Sequence, residues 1–199
     1  MNQFSSTARR AIALLPGAAV VLLAACGGYT AVDVGGTITG LTGDGLVLSN
    51  NGASTVSPAP QATSFVFPAQ VDIRSTYSVS IVTQPARQTC TLFNAAGVAG
   101  ANPVTIVSVV CAANAYTIGG NVTGLAGAGL VLTNGSDQIA ITKPDANGNA
   151  GFTFPTAVSD GAAYGVAVLT QPGGQSCTVS NGSAFMGSAA VTNVQVSCR

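Results

Sequence analysis

Past residue 30 the chain is a succession of short apolar runs, each broken by small and turn-forming residues. In the second half the alternation predicts strands near 116–125, 129–134, 137–143, 151–155, 163–171, 176–181 and 190–198. Phe152 and Phe154 fall on one face of their run. So do Tyr164, Val166 and Val168, and then Val194, Val196 and Cys198. Asn134-Gly135, Asn147-Gly148, Asp160-Gly161, Gly173-Gly174 and Asn181-Gly182 separate these runs, and such pairs suit the positive φ values of tight turns. No stretch beyond residue 30 carries a helical period. Seven short strands in so few residues predict a small β-sandwich.

The pattern occurs twice. Gly40-Leu41-Thr42-Gly43-Asp44-Gly45-Leu46-Val47-Leu48-Ser49-Asn50 returns as Gly124-Leu125-Ala126-Gly127-Ala128-Gly129-Leu130-Val131-Leu132-Thr133-Asn134, with eight of eleven positions identical at an offset of 84. Further on the offset is 87: Phe65-Val66-Phe67-Pro68 matches Phe152-Thr153-Phe154-Pro155, Tyr77 matches Tyr164, and Thr83-Gln84-Pro85 matches Thr170-Gln171-Pro172. The extra residues of the first copy lie near 54–62, a Ser/Pro-rich stretch where insertion costs little. The expected organisation is a leader over 1–25, a tether over 26–35, one repeat over 36–112 and a second over 116–199. The fold class is therefore all-β, two tandem seven-stranded immunoglobulin/transthyretin-like sandwiches joined by a linker too short for free motion.

Gly129–Leu132, Asp145–Gly151, Phe152–Phe154 and Tyr164–Val168 follow an order of strand, turn and strand that resembles the transthyretin-like sandwiches, which include Cna-B-type repeats and carboxypeptidase regulatory-like domains. The resemblance covers about the first 60% of each repeat. It implies display, spacing or adhesion and no chemistry. The last third of each repeat, with its two cysteines, departs from that pattern.

The first 25 residues have a different character. Arg9 and Arg10 precede an apolar run over Ala11–Ala25, of the length of an export signal and short for a membrane span. Leu23-Ala24-Ala25-Cys26 resembles the bacterial lipobox, which implies acylation of Cys26 and removal of the leader. Fatty chains on one cysteine give stable anchoring when two or more are present. Gly27 follows Cys26 where an Asp would mark inner-membrane retention, so the expected destination is the outer membrane of a bacterial cell envelope. The expected partner is the membrane, through the lipid.

Four cysteines remain, Cys90 and Cys111, then Cys177 and Cys198, at the same spacing in both repeats. In an exported chain they predict two disulfides, Cys90–Cys111 and Cys177–Cys198. Each would stabilise its module by about 3 kcal/mol in the chain-entropy view.

Composition leaves little room for catalysis. The sequence has no His, Glu or Trp, and only 6% of its residues are charged. A Ser-His-Asp arrangement is excluded, and paired-carboxylate hydrolysis would rest on six Asp alone. Asp44 becomes Ala128 in the second copy. After residue 25 four basic residues stand against those six Asp, which leaves no basic stripe for nucleic acid. No cofactor is expected. Asp145, Asn147 and Asn149 place oxygen ligands at alternate positions, as a short calcium loop does; a plain hairpin turn uses the same residues. The Val-rich final strands, 104–110 and 191–196, are candidates for edge pairing with another chain. The expected function is a structural or interaction module without enzymatic activity. A glycan- or peptide-binding module, aided by calcium, is the alternative.

Overall fold

The computed structural model of the protein describes residues 30–142 and 144–199, and their regular elements are all strands. The first repeat contains β1 (Ala31–Val32), β2 (Val34–Thr39), β3 (Val47–Asn50), β4 (Ser54–Val56) and β5 (Ser64–Val66). It continues with β6 (Val71–Asp72), β7 (Thr76–Thr83), β8 (Gln88–Phe93), β9 (Ala96–Val98) and β10 (Val104–Ala113). The second repeats this order: β11 (Ala115–Tyr116), β12 (Ile118–Thr123), β13 (Val131–Asn134), β14 (Asp137–Ala140) and β15 (Ala150–Thr153). Then come β16 (Val158–Ser159), β17 (Ala163–Thr170), β18 (Cys177–Ser180), β19 (Ser183–Phe185) and β20 (Val191–Cys198).

Each repeat is a sandwich of two four-stranded sheets with one small two-stranded pair. In the first, the sheet β5-β2-β10-β8 packs on β4-β3-β7-β9, and β1 pairs with β6. In the second, β15-β12-β20-β18 packs on β14-β13-β17-β19, and β11 pairs with β16. Alternation buries one face of the long strands: Val34, Leu46, Leu48, Val107 and Val109 meet in the first core, and Ile118, Leu130, Leu132, Val194 and Val196 in the second. Phe65 and Phe67 meet edge to face in one core, as Phe152 and Phe154 do in the other.

The tandem all-β sandwich is thus present, with more strands than alternation marks. The two-residue pairs are too short to show a period. The edge strand Ser183–Phe185 is exposed at all three positions, so it carries no apolar–polar signal. Val32 and Val34 are also buried, so the first core begins ahead of residue 36. The Val-rich final strands are not edges: β10 lies between β2 and β8, and β20 between β12 and β18. Ladders occupy both rims over Ser108–Val110 and Gln195–Val196, and pairing with another chain is closed off there.

β10 runs parallel to β2, as β20 does to β12, and each of these pairings contains a bulge. The backbones come unusually close there. A Cβ at Gly36 would lie 1.9 Å from the carbonyl oxygen of Val107, and one at Gly120 1.8 Å from that of Val194. Only glycine admits this approach.

Between the repeats, Asn114 is bonded on both sides. Its N–H donates to the Arg87 carbonyl (3.0 Å), and its own carbonyl accepts from Asp160 N–H (2.7 Å). Thr89 Oγ1 donates to its side-chain oxygen (2.7 Å). Arg87 reaches across the junction, with Nε 2.8 Å from Asp160 Oδ1 and Nη2 on the same atom. The Asp160 side chain is only 1% exposed, while that of Arg87 is 61% exposed. Arg87 holds φ at 62°, a left-handed value that its counterpart Gly174 also adopts, at 74°. An arginine therefore occupies a position where the second copy has glycine, and it does so where there is a neighbouring repeat to grip.

Gly36→Ala is expected to lower stability by about 1–3 kcal/mol or more, because the rigid backbone of β10 cannot yield to the new methyl. Gly165→Ala, on an exposed strand position with open space around it, is the control and should be close to neutral. Urea unfolding of the two variants checks the difference.

Candidate functional site

The residues singled out by sequence fall in three places. Cys26 lies outside the described residues. The four later cysteines form the bonds Cys90–Cys111 and Cys177–Cys198. Each pair is directly opposed in an antiparallel ladder, Cys111 on β10 against Cys90 on β8 and Cys198 on β20 against Cys177 on β18. All four are buried, so each bridge lies inside the sandwich, where it ties the sheet's central strand to its edge.

Around each bridge stand two glutamines whose roles periodicity does not reveal. Gln84 folds back on the Cys90 backbone: its amide oxygen accepts from Cys90 N–H (2.8 Å), and its Nε2 donates to the Cys90 carbonyl (3.0 Å). Gln171 does the same to Cys177 at 2.7 and 3.1 Å. Each amide stands in for the neighbouring strand that an edge residue lacks. Gln88 clamps the turn after β2: Oε1 accepts from the N–H groups of Thr42 and Gly43, both at 2.7 Å, and Nε2 donates to the Gly40 carbonyl (2.7 Å). Gln175 repeats the clamp on Ala126, Gly127 and Gly124. The sequence signal for all four was their identity across the two copies. The Thr-Gln-Pro match contains one pair, and the other follows at the same offset of 87.

Asp145, Asn147 and Asn149 are brought together in one turn, and the bonding is inward. Asp145 Oδ1 accepts from the N–H groups of Asn147 and Asn149, both at 2.8 Å, and Oδ2 from the Asn149 side-chain amide (3.3 Å). The Asp145 N–H donates to the Asn149 carbonyl, and the Gly148 N–H to that of Asp145. Gly148 sits at φ 76°. This is an Asx turn, in which the carboxylate replaces backbone partners. The Asn149 N–H first, and the Asn147 N–H second, hold the Asp145 carboxyl below the ordinary carboxylate range. Among the described residues no group of three or more His, Cys, Asp or Glu is placed to hold a metal ion.

The remaining surface offers shallow depressions. One is lined by Gly119, Gly120, Asn121, Phe152, Thr153 and Thr192, another by Gly35, Gly36, Ser64, Val66 and Thr105. The second also takes in Asp33, whose Oδ1 accepts from Gln70 Nε2 (2.9 Å). Tyr77 is buried in the first core and Tyr164, half-buried, packs against the second.

Gln88→Ala is expected to cost about 1–3 kcal/mol, because it leaves two part-buried N–H donors and a carbonyl without their partner. Gln175→Ala, at a more exposed site, should cost less; chemical denaturation of each variant makes the comparison. For Asp145, NMR titration of the side-chain carboxyl should show ionisation below the usual range. Asn149→Ala should leave most of that depression in place, because the two backbone donors remain. A depressed carboxyl stabilises the turn above its unfolded pKa, and the stabilisation is lost as pH falls through the folded value. The protection factors of the Asn147 and Asn149 amides should therefore fall only in acid.

No protein-family model matches the sequence, and no curated protein matches it. Among solved structures the chain is similar to the Bacillus anthracis TIE protein, with a TM-score of 0.49 and 13% identity. The match covers 84% of this chain and 34% of that one, so the chain spans about a third of that protein's length.

Proposed function

We propose that the protein is an exported bacterial lipoprotein, acylated at Cys26, and that its paired sandwiches serve at the cell envelope as a structural or interaction module and not as an enzyme. The observation that carries this reading is the pair of buried disulfides on opposed strand positions. Such bonds persist in oxidising compartments, so they support export, and the lipobox-like Leu23-Ala24-Ala25-Cys26 supplies the means of retention there. Gly27 after Cys26 directs the anchored chain to the outer membrane on this reading. The transthyretin-like and Cna-B-like resemblance of each repeat agrees with a displayed spacer or adhesive unit. The stitched junction at Asn114 favours a pair of modules that move together, which suits spacing more than enclosure of a ligand.

Intact-mass measurement of the protein from its native envelope tests the reading. The expected species begins at Cys26, exceeds the mass of the cleaved chain by a diacylglyceryl group with its acyl chains, and gains four protons on reduction. A full-length cytoplasmic species with free thiols would overturn it.

A further inference from the structure

The two sandwiches share a scaffold but differ on one surface. The outward face of β5-β2-β10-β8 exposes Val66 at 57%, Phe93 at 55%, Ile106 at 62% and Val110 at 40%. The positions matching these in the second repeat are Thr153, Ser180, Asn193 and Ser197, all exposed and all polar. Where the first copy exposes hydrocarbon, the second presents hydroxyls and an amide at the same four points. The remainder of the first face is uncharged and mostly small and polar, with Thr37, Thr39, Ser64, Thr89, Thr91 and Ser108 among it; none of its four strands contains a charged residue, and Asp33 stands at its rim. Exposed apolar side chains collected on one flat face mark a surface that contacts something, whereas isolated ones need no explanation.

The place of Thr30 in the fold, close in sequence to Cys26, points to the occupant. Thr30 follows Cys26 by four residues, a span of at most about 14 Å. Thr30 is already bonded into the first repeat, through its carbonyl and the Ile73 N–H (2.9 Å). β2 starts four residues later, and its Gly35 pairs with Val66, beside the bulge that contains Ile106. The apolar face therefore begins next to the anchor, on the repeat nearest to it. Its footprint, four strands wide and a few residues long, is roughly 300 Å², well under the roughly 800 Å² per partner of a stable protein interface. A second copy would be held poorly by so small a patch. A bilayer needs no such area, because the tether already keeps the surface at high effective concentration.

We infer that this outer face of the first sandwich rests on the lipid bilayer, with Val66, Phe93, Ile106 and Val110 reaching into the interfacial layer, while the second sandwich turns a polar face to water. The inference rests on the anchor proposed above. The contact is uncharged, so it takes neutral phosphatidylcholine as readily as anionic lipid and does not weaken with salt.

The absence of tryptophan gives a clean probe. The full chain with Phe93→Trp is reconstituted into phosphatidylcholine vesicles carrying bromine on their acyl chains, with Ser180→Trp as the matched control. The expected result is loss of most emission for the first reporter and little loss for the second, unchanged between low and high salt. Adding Val66→Thr, Ile106→Asn and Val110→Ser, which install the second repeat's residues, should restore emission while leaving circular dichroism unchanged. Full emission from the Phe93→Trp chain on brominated vesicles overturns the contact, as does a dimer in sedimentation that shields the reporter from bromine. A parallel chain with Cys26→Ser keeps its apolar Ala11–Ala25 run and so reports the face without the acyl group. Quenching in that chain, with no acyl mass on the parent, would sink the anchor and keep the contact. Acyl mass without quenching would do the reverse.

Discussion

Each sandwich is closed by the approach of its first long strand to its last. β2 is laid down early, and β10 arrives some 70 residues later to lie parallel beside it. Parallel pairing over such a separation brings little local help in folding, so the geometry at the meeting point has to be permissive. Gly36, repeated as Gly120, provides that by leaving room for the opposing carbonyl at the bulge, while Gly35 and Gly119 make room for the Phe65 and Phe152 carbonyls of β5 and β15. Other fastenings gather on the same sheet. Cys111 binds β10 to β8, Gln88 at the start of β8 clamps the turn that follows β2, and that turn's Gly40 lies against the Cys111 carbonyl. One covalent bond, one side-chain clamp and one close backbone contact therefore hold the same three strands. This is an efficient arrangement for a domain of modest core, with few aromatics and almost no charge.

Much of this was legible before the coordinates. The double occurrence of Gly-Leu-x-Gly-x-Gly-Leu-Val-Leu gave the number of modules, and equal spacing of two cysteine pairs gave the bridges. Alternation located the long strands because those strands bury one face and wet the other. It missed β19 because Ser183, Ala184 and Phe185 are all exposed, and it missed the two-residue pairs because a period needs more than two points. The edge-strand reading of Val104–Val110 failed for a related reason: a Val-rich run is equally suited to a central strand, and nothing local says which side its neighbours occupy. The glutamines were invisible to hydrophobic patterning, since a polar side chain that serves a backbone looks like any other polar residue. Asp145 fitted two chemistries on paper; in the structure its carboxylate accepts from the Asn147 and Asn149 N–H groups and from the Asn149 side-chain amide.

Comparison of the copies also separates what the scaffold requires from what has been added to it. The glycine pairs, cysteines and both glutamines recur because each repeat must close in the same way. The outward positions of the first sheet do not recur: Phe93 faces solvent where Ser180 does, and Ile106 where Asn193 does. Closing the sandwich places no demand on those side chains, so their difference belongs to the surroundings of each repeat.

The clasp between Arg87 and Asp160 belongs to neither module alone. The second copy has Gly174 in place of the arginine, and the first has Ile73 in place of the aspartate. If the two units were transposed, the new seam would bring a bare glycine against an isoleucine, with no ion pair across it. The sequence of modules along the chain is therefore written into their shared boundary, and duplication of either one would not by itself reproduce that seam.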